Sequence, residues 1–249
     1  MLVEKEYNRS RAVEYAEKWA LSRNPLFLDY TGNGGNCTNF VSQCLYAGSC
    51  MMNTTPIFGW YYYAADDRTA SWTGVVYLYN FLTDNKGPGP YAREVMPDAL
   101  MLGDVIQLGR EGIGYYHTLI VTGFSGNSYL VSAQSDDAKD RPLDTYNYDY
   151  ARYLHIEGVR LEVPGIPDCF PSLLAGDALI INAGDTEPMP APTPVPLPTP
   201  EEPLPSPVSP EEPEPIPEEP LPSPPEEPEP PAEENDLPQD TPAPGGSDA

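Results

Sequence analysis

Proline divides this chain in two. Of its 33 prolines, 24 lie between Pro188 and Pro244. Proline has no backbone N–H and a fixed φ, so a segment this dense in it forms neither helix nor central strand. All 13 Lys and Arg precede residue 161, while 17 of the 38 acidic side chains follow residue 184. Acidic self-repulsion extends such a segment further. Glu-Glu-Pro-Leu-Pro-Ser-Pro occurs at 201–207 and again at 218–224, and Glu-Glu-Pro-Glu-Pro at 211–215 and 226–230. The expectation is one folded domain over 1–184 and a disordered, acidic, Pro-rich tail over 185–249. At roughly 3.1 Å per residue in polyproline II the tail would reach on the order of 200 Å. It reads as a spacer, or as a ligand for a proline-recognising or basic partner.

The folded part carries 21 acidic and 13 basic side chains, a formal charge of −8. No basic patch survives, which argues against nucleic acid as a partner. No apolar run is long enough to span a membrane. Met-Leu-Val-Glu-Lys-Glu-Tyr lacks the apolar core of a secretory signal, so the chain as written reads as cytoplasmic. An extracellular or cell-wall location stays open if a leader has been removed. Cys37, Cys44, Cys50 and Cys169 form no C-x-x-C pair, and His117 and His155 are the two histidines. That set supports no zinc site and calls for no cofactor. Four cysteines in a domain of this size also argue against a disulfide framework.

The run Gly-Gly-Asn-Cys-Thr-Asn-Phe-Val-Ser-Gln at 34–43 carries the chemistry. Two glycines allow a tight turn, and Asn36 is a favoured N-cap residue. A helix is expected over 38–47, closed by Gly48 at the C′ position. Cys37 then meets orphan N–H groups and the positive end of the helix dipole, which favour the nucleophilic thiolate. Cys44, two turns on, reads as a small buried hydrophobe.

An amphipathic helix is expected over 4–23, ended by Asn24-Pro25. Residues 51–72 read as an irregular aromatic loop, followed by a short helix over 75–82 and a loop over 86–90. Strands are expected at 105–108, 115–122, 129–134 and 151–156. Helices first and an antiparallel sheet second make an α+β fold.

A cysteine nucleophile needs a base. His117, at the start of a strand, is expected to point its imidazole across a cleft at Cys37, whereas His155 reads as a half-buried strand residue. The base needs a third group to fix its tautomer. Ser132 and Gln134 share a face of the next strand, and the Gln134 amide oxygen can accept an imidazole N–H. Asp136 and Asp137 are further choices. Gln43 lies on the nucleophile's helix but well off its face. Trp60, Tyr61 and Trp72 line a groove or fill the core. Ser125 sits in a Gly-Phe-Ser-Gly-Asn run that ends in Asn where a nucleophile elbow needs Gly. The Gly-rich segment at 32–36 lacks the lysine and spacing of a phosphate loop.

Asn-Cys-Thr-Asn-Phe-Val-Ser-Gln-Cys-Leu at 36–45 resembles the motif of the putative amidase domain family, related to the NlpC/P60 and CHAP groups of papain-like cysteine peptidases. The resemblance continues through Gly-Trp-Tyr at 59–61, Ser-Trp-Thr at 71–73, Gly-Asp-Val-Ile-Gln at 103–107, His-Thr-Leu-Ile-Val-Thr at 117–122 and Leu-Val-Ser-Ala-Gln-Ser at 130–135. It implies a papain-like α+β fold with N-terminal helices packed on an antiparallel sheet. It also implies Cys37 as nucleophile, His117 as general base and acid, and amide hydrolysis through a thioester, on peptidoglycan peptides or similar bacterial material. Two positions depart from the pattern: Asn36 stands where such domains often have Asp, and Gln134 where they often have His. The rival reading is a catalytically weak or inactive wall- or partner-binding module displayed on the acidic spacer. Acyl transfer or deamidation would use the same covalent intermediate.

Overall fold

The structure, a computed structural model, describes residues 2–162 and 167–180 and the backbone of 189–190. A short strand β1 (Val3–Lys5) precedes helix α1 (Arg9–Trp19). Helix α2 (Cys37–Ser49), the four-residue α3 (Ala70–Thr73) and α4 (Val75–Asp84) follow. The sheet is completed by β2 (Gly89–Val95), β3 (Val105–Arg110), β4 (Gly114–Ser125), β5 (Ser128–Ala133), β6 (Ala138–Pro142) and β7 (Tyr150–Leu161). A last helix, α5 (Phe170–Ala175), leads into the small pair β8 (Ala178–Leu179) and β9 (Met189–Pro190). The class is α+β, with an all-antiparallel seven-stranded sheet in the order β1-β7-β3-β4-β5-β6 and β2 on the far side of β7.

Alternation along the strands builds two cores. Val105, Ile120, Leu154 and Ile156 face the helices and join Ala12, Tyr15, Phe40, Leu45, Trp60 and Trp72. Ile106, Leu108, Leu119, Val121 and Val131 face the other way, with Leu100 and Leu143. Trp60 and Trp72 are fully buried, their ring centroids 4.7 Å apart, so both are core residues; Tyr61 packs half-buried against the same core.

Several elements differ from expectation. Helix α1 starts at Arg9 because Asn8 caps it, its Oδ1 accepting from Arg11 N at 3.1 Å, which leaves the preceding residues free to pair with β7. Helix α2 runs two residues past Ala47 and is closed by Cys50, whose φ of 50° is left-handed, not by Gly48. Gly48 has another use: a Cβ there would stand 2.3 Å from Tyr7 Cε2 and 2.9 Å from Asn8 O. Its lack of a side chain lets the start of α1 pack on α2.

The expected absence of disulfides is corrected. Cys50 and Cys169 are bonded, across 119 residues of sequence. The bond ties the end of α2 to the start of α5. Arg11 reinforces the junction by gripping both oxygens of Asp168, at 2.7 and 2.8 Å. Cys44 is free and fully buried, as its spacing suggests. A compact unit spans Met1–Leu197, and β9 lies a few residues beyond the expected boundary at 184. The rest of the expected disordered tail lies outside the described residues. Among the described residues no helix is long and apolar enough to cross a membrane.

Candidate active site

Cys37 is the first residue of α2, reached through a turn in which Gly34 and Gly35 adopt φ of 89° and 97°. Only glycine takes such angles without strain. Asn36 does not cap the helix in the expected way. Its Oδ1 accepts from Tyr30 N at 3.0 Å and from Asn39 Nδ2 at 2.8 Å, which closes the loop before the helix.

The backbone N–H groups of Thr118, Thr38 and Cys37 itself, and the Thr38 hydroxyl, favour the Cys37 thiolate. Thr38 Oγ1 lies 3.8 Å from the sulfur and 2.9 Å from Thr118 Oγ1. Burial opposes them. Cys37 is 7% exposed, and desolvation is the largest influence on its thiol, pushing its pKa above the ordinary value. The expected early ionisation is therefore corrected: a helix N-terminus does not offset removal from water here.

His117 is one residue from Thr118, and that single step turns its side chain over. Thr118 pairs with Gln107 and points to the helices, whereas His117 pairs with Leu108 of the second core. A bulge between Leu108 and Gly109 brings Tyr116 to the same side, and its ring stacks with His117 at 6.1 Å. Tyr146 covers the imidazole from 6.0 Å. Burial pushes the His117 pKa down from 6.5 to about 4, with Asp136 opposing and Arg141 reinforcing. No hydrogen bond joins His117 to Cys37, so the expected approach across a cleft is not formed in this structure. The Tyr146 hydroxyl is itself buried without a hydrogen-bond partner among the described residues.

Gln134 is brought to Asn36, not to His117. Its Oε1 accepts from Asn36 Nδ2, and its Nε2 donates to Trp19 O and Ser22 O, both at 2.7 Å. Asn36 and Gln134 thus touch each other, joining the loop before Cys37 to the end of α1. Ser135 adds a second tie by accepting from Asn36 N. Ser132 contacts Thr122 and Asp140 instead, and Asp137 pairs with Arg23 at 2.9 Å. His155 gives its Nδ1 to the fully buried Asp104 at 2.8 Å, where Arg9 also binds. Gln43 is buried and accepts from Tyr15 Oη at 2.7 Å, a packing role. Thr118 and Tyr146 are the neighbours that the sequence reading missed. The register of 117–122 against a neighbouring strand was the signal for Thr118; nothing local marks Tyr146.

Among the described residues no group of three His, Cys, Asp or Glu side chains is placed to hold a metal ion. A surface cavity of about 580 Å³ lies between α4 and the loop over 53–58, lined by Phe58, Tyr77 and Phe81 among others; none of the candidate catalytic residues lines it.

Residues 6–156 match the family described as "Putative amidase domain". The chain belongs to that family. The match covers every candidate site residue and stops before Cys169, so the disulfide joins the amidase domain to a segment beyond it. A relative, described as "Uncharacterized protein YhbB" from Bacillus subtilis (strain 168), is 36% identical over 140 residues, covering 55% of this chain and 44% of the relative. The chain thus spans less than half of that relative's length. No solved structure matches. The description of the family points coarsely to hydrolysis of C–N bonds.

Proposed function

We propose that this protein hydrolyses peptide amides through a thioester on Cys37, with His117 as general base and then general acid. The observation that carries the reading is the seat of the sulfur. It opens a helix, 3.8 Å from the Thr38 hydroxyl, which in turn contacts Thr118, the residue after His117, at 2.9 Å. In this reading the Cys37 N–H, at the N-terminus of α2, is the donor to the developing oxyanion. A cysteine at a helix N-terminus packed on an antiparallel sheet is how we read the arrangement as papain-like, in the manner of NlpC/P60 and CHAP domains. The peptide part of bacterial peptidoglycan is the substrate we infer, by the resemblance described above. A disulfide suits an oxidising compartment such as the cell exterior.

In this reading the resting pair is a neutral thiol and a neutral imidazole. His117 leaves Tyr116 and Tyr146 and reaches the sulfur when substrate binds, since catalytic hydrogen bonds often tighten only in the complex. The thiol proton passes to His117 as sulfur attacks the carbonyl. His117 then gives that proton to the leaving amine, and water hydrolyses the acyl-enzyme with His117 again accepting a proton.

A second reading is favoured by specific observations. The imidazole faces away, Gln134 is engaged by Asn36, and the thiol is buried, which together suit a catalytically weak or inactive binding module. Digestion of purified peptidoglycan and of acetylated peptide amides, followed by mass spectrometry, separates the two. Hydrolysis that disappears in Cys37→Ala and in His117→Ala supports the enzyme. Binding that survives Cys37→Ala with no hydrolysis by the wild type supports the module.

A further inference from the structure

One row of polar side chains crosses the helix-facing side of the sheet. Arg152 on β7 stands opposite Gln107 on β3, and Gln107 opposite Thr118 on β4. Thr118 contacts Thr38, next to Cys37. Gln107 binds both neighbours: its Nε2 donates to Thr118 Oγ1 at 3.4 Å, and its Oε1 accepts from Arg152 Nε at 2.7 Å. The row leads from the sulfur to a guanidinium two strands from Thr118, roughly 10 Å at the usual strand spacing.

Arg152 is 7% exposed. A buried cation is unfavourable unless an anion answers it. No carboxylate of the described residues lies within ion-pair distance of Arg152, and its Nη2 is buried without a hydrogen-bond partner among them. Glu94, the acidic side chain that acts on Arg152 electrostatically, accepts from Tyr79 Oη at 2.9 Å instead. Meanwhile the guanidinium is held from two sides by the rings of Tyr79 and Tyr115, at 3.6 and 3.8 Å from their centroids. Both rings are half-buried, so the stack lies beside the surface. The fork is thus fixed in orientation, charged and unanswered, an arrangement suited to a planar carboxylate.

We propose that Arg152 receives a carboxylate of the substrate, so that the site selects peptides bearing an acidic group near the bond attacked. An extended chain advances about 3.3–3.6 Å per residue, so the two strand spacings from Thr118 alone put the acidic group at least about three residues from that bond. The proposal rests on the amidase reading given above, with Cys37 as the nucleophile.

The test uses the full chain carrying Cys37→Ala, which binds without turning over. The probes are acetylated tetra-alanine amides in which one Glu moves through the four positions, each with its Gln counterpart, and affinity is measured by calorimetry. We expect one Glu peptide to bind roughly 10- to 100-fold more tightly than its Gln counterpart, the usual scale for a hydrogen-bonded charge. Adding Arg152→Gln should erase that preference, while Arg152→Lys should keep part of it. No Glu preference at any position, or a preference unchanged by Arg152→Gln, overturns the proposal. The Glu and Gln comparison needs no change at Arg152, so a folding defect in the variants cannot mask the answer. Hydrolysis by the wild type without a Glu preference removes this proposal and leaves the amidase reading. A Glu preference without hydrolysis does the reverse.

Discussion

The backbone N–H groups of Thr118, Thr38 and Cys37 favour the Cys37 thiolate, yet burial outweighs them. Alkylation of Cys37 by iodoacetamide should therefore rise with pH at a midpoint above that of a free cysteine peptide; a midpoint below it contradicts the account. His117 gives the complementary expectation. Its pKa is near 4 when folded and about 6.5 when unfolded. Between those values the unfolded chain binds the extra proton, so stability falls as pH drops from 6.5 to 4. Urea titrations across that window should show the loss in the wild type and a flatter profile in His117→Gln. The acid limb of kcat/KM should likewise sit near pH 4. Gln134 makes a different contribution. Truncating it leaves Asn36 Nδ2, Trp19 O and Ser22 O without their partner, at about 1–3 kcal/mol. An Asn36→Ala, Gln134→Ala double-mutant cycle should show coupling of about 0.5–3 kcal/mol. The acid limb should not move with Gln134→Ala, because that side chain does not touch His117.

Helix α2 shows how an element depends on residues that serve its neighbours. Gly48→Ala would drive a methyl group into Tyr7 and the Asn8 carbonyl, and we expect a loss of about 1–3 kcal/mol in chemical denaturation. A glycine needed only to end the helix would tolerate alanine more easily, since Ser49 and Cys50 lie beyond it. The sequence makes β3, β4, β5 and β7 legible because Val, Ile, Leu and Tyr alternate through them and both faces are buried. Strand β2 escapes because Pro90 argues against a strand; it is tolerated there because β2 pairs on one side only. Strand β6, Ala-Lys-Asp-Arg-Pro, has no β-branched residue and occupies the other edge, where charge is suitable. In the site, the glycine turn and the helix opened by Cys37 are readable from 34–43. The facing of His117 is not, because it depends on the parity of 117 and 118 against Gln107 and Leu108 and on the bulge beside them.

At the scale of the whole molecule, the disulfide closes a long loop and fastens the segment after the family domain onto α1 and α2. Trp19 and Asn24 add hydrogen bonds to Leu174 O and Leu173 O, at 3.2 and 2.9 Å. Without reductant, the denatured chain should titrate two thiols, Cys37 and Cys44, and four after reduction. Four before reduction contradicts the bond. Reduction should lower stability by about 2–5 kcal/mol. The central claim is that Cys37 becomes covalently acylated during amide cleavage. Its most direct test is an acid quench of the wild-type protein a few milliseconds after mixing with a cleaved peptide amide, followed by intact-mass and peptide mapping. The account predicts an acyl adduct confined to the peptide containing Cys37, removed by hydroxylamine and absent in Cys37→Ala. Cleavage that proceeds with no adduct, or that persists in Cys37→Ala, contradicts it.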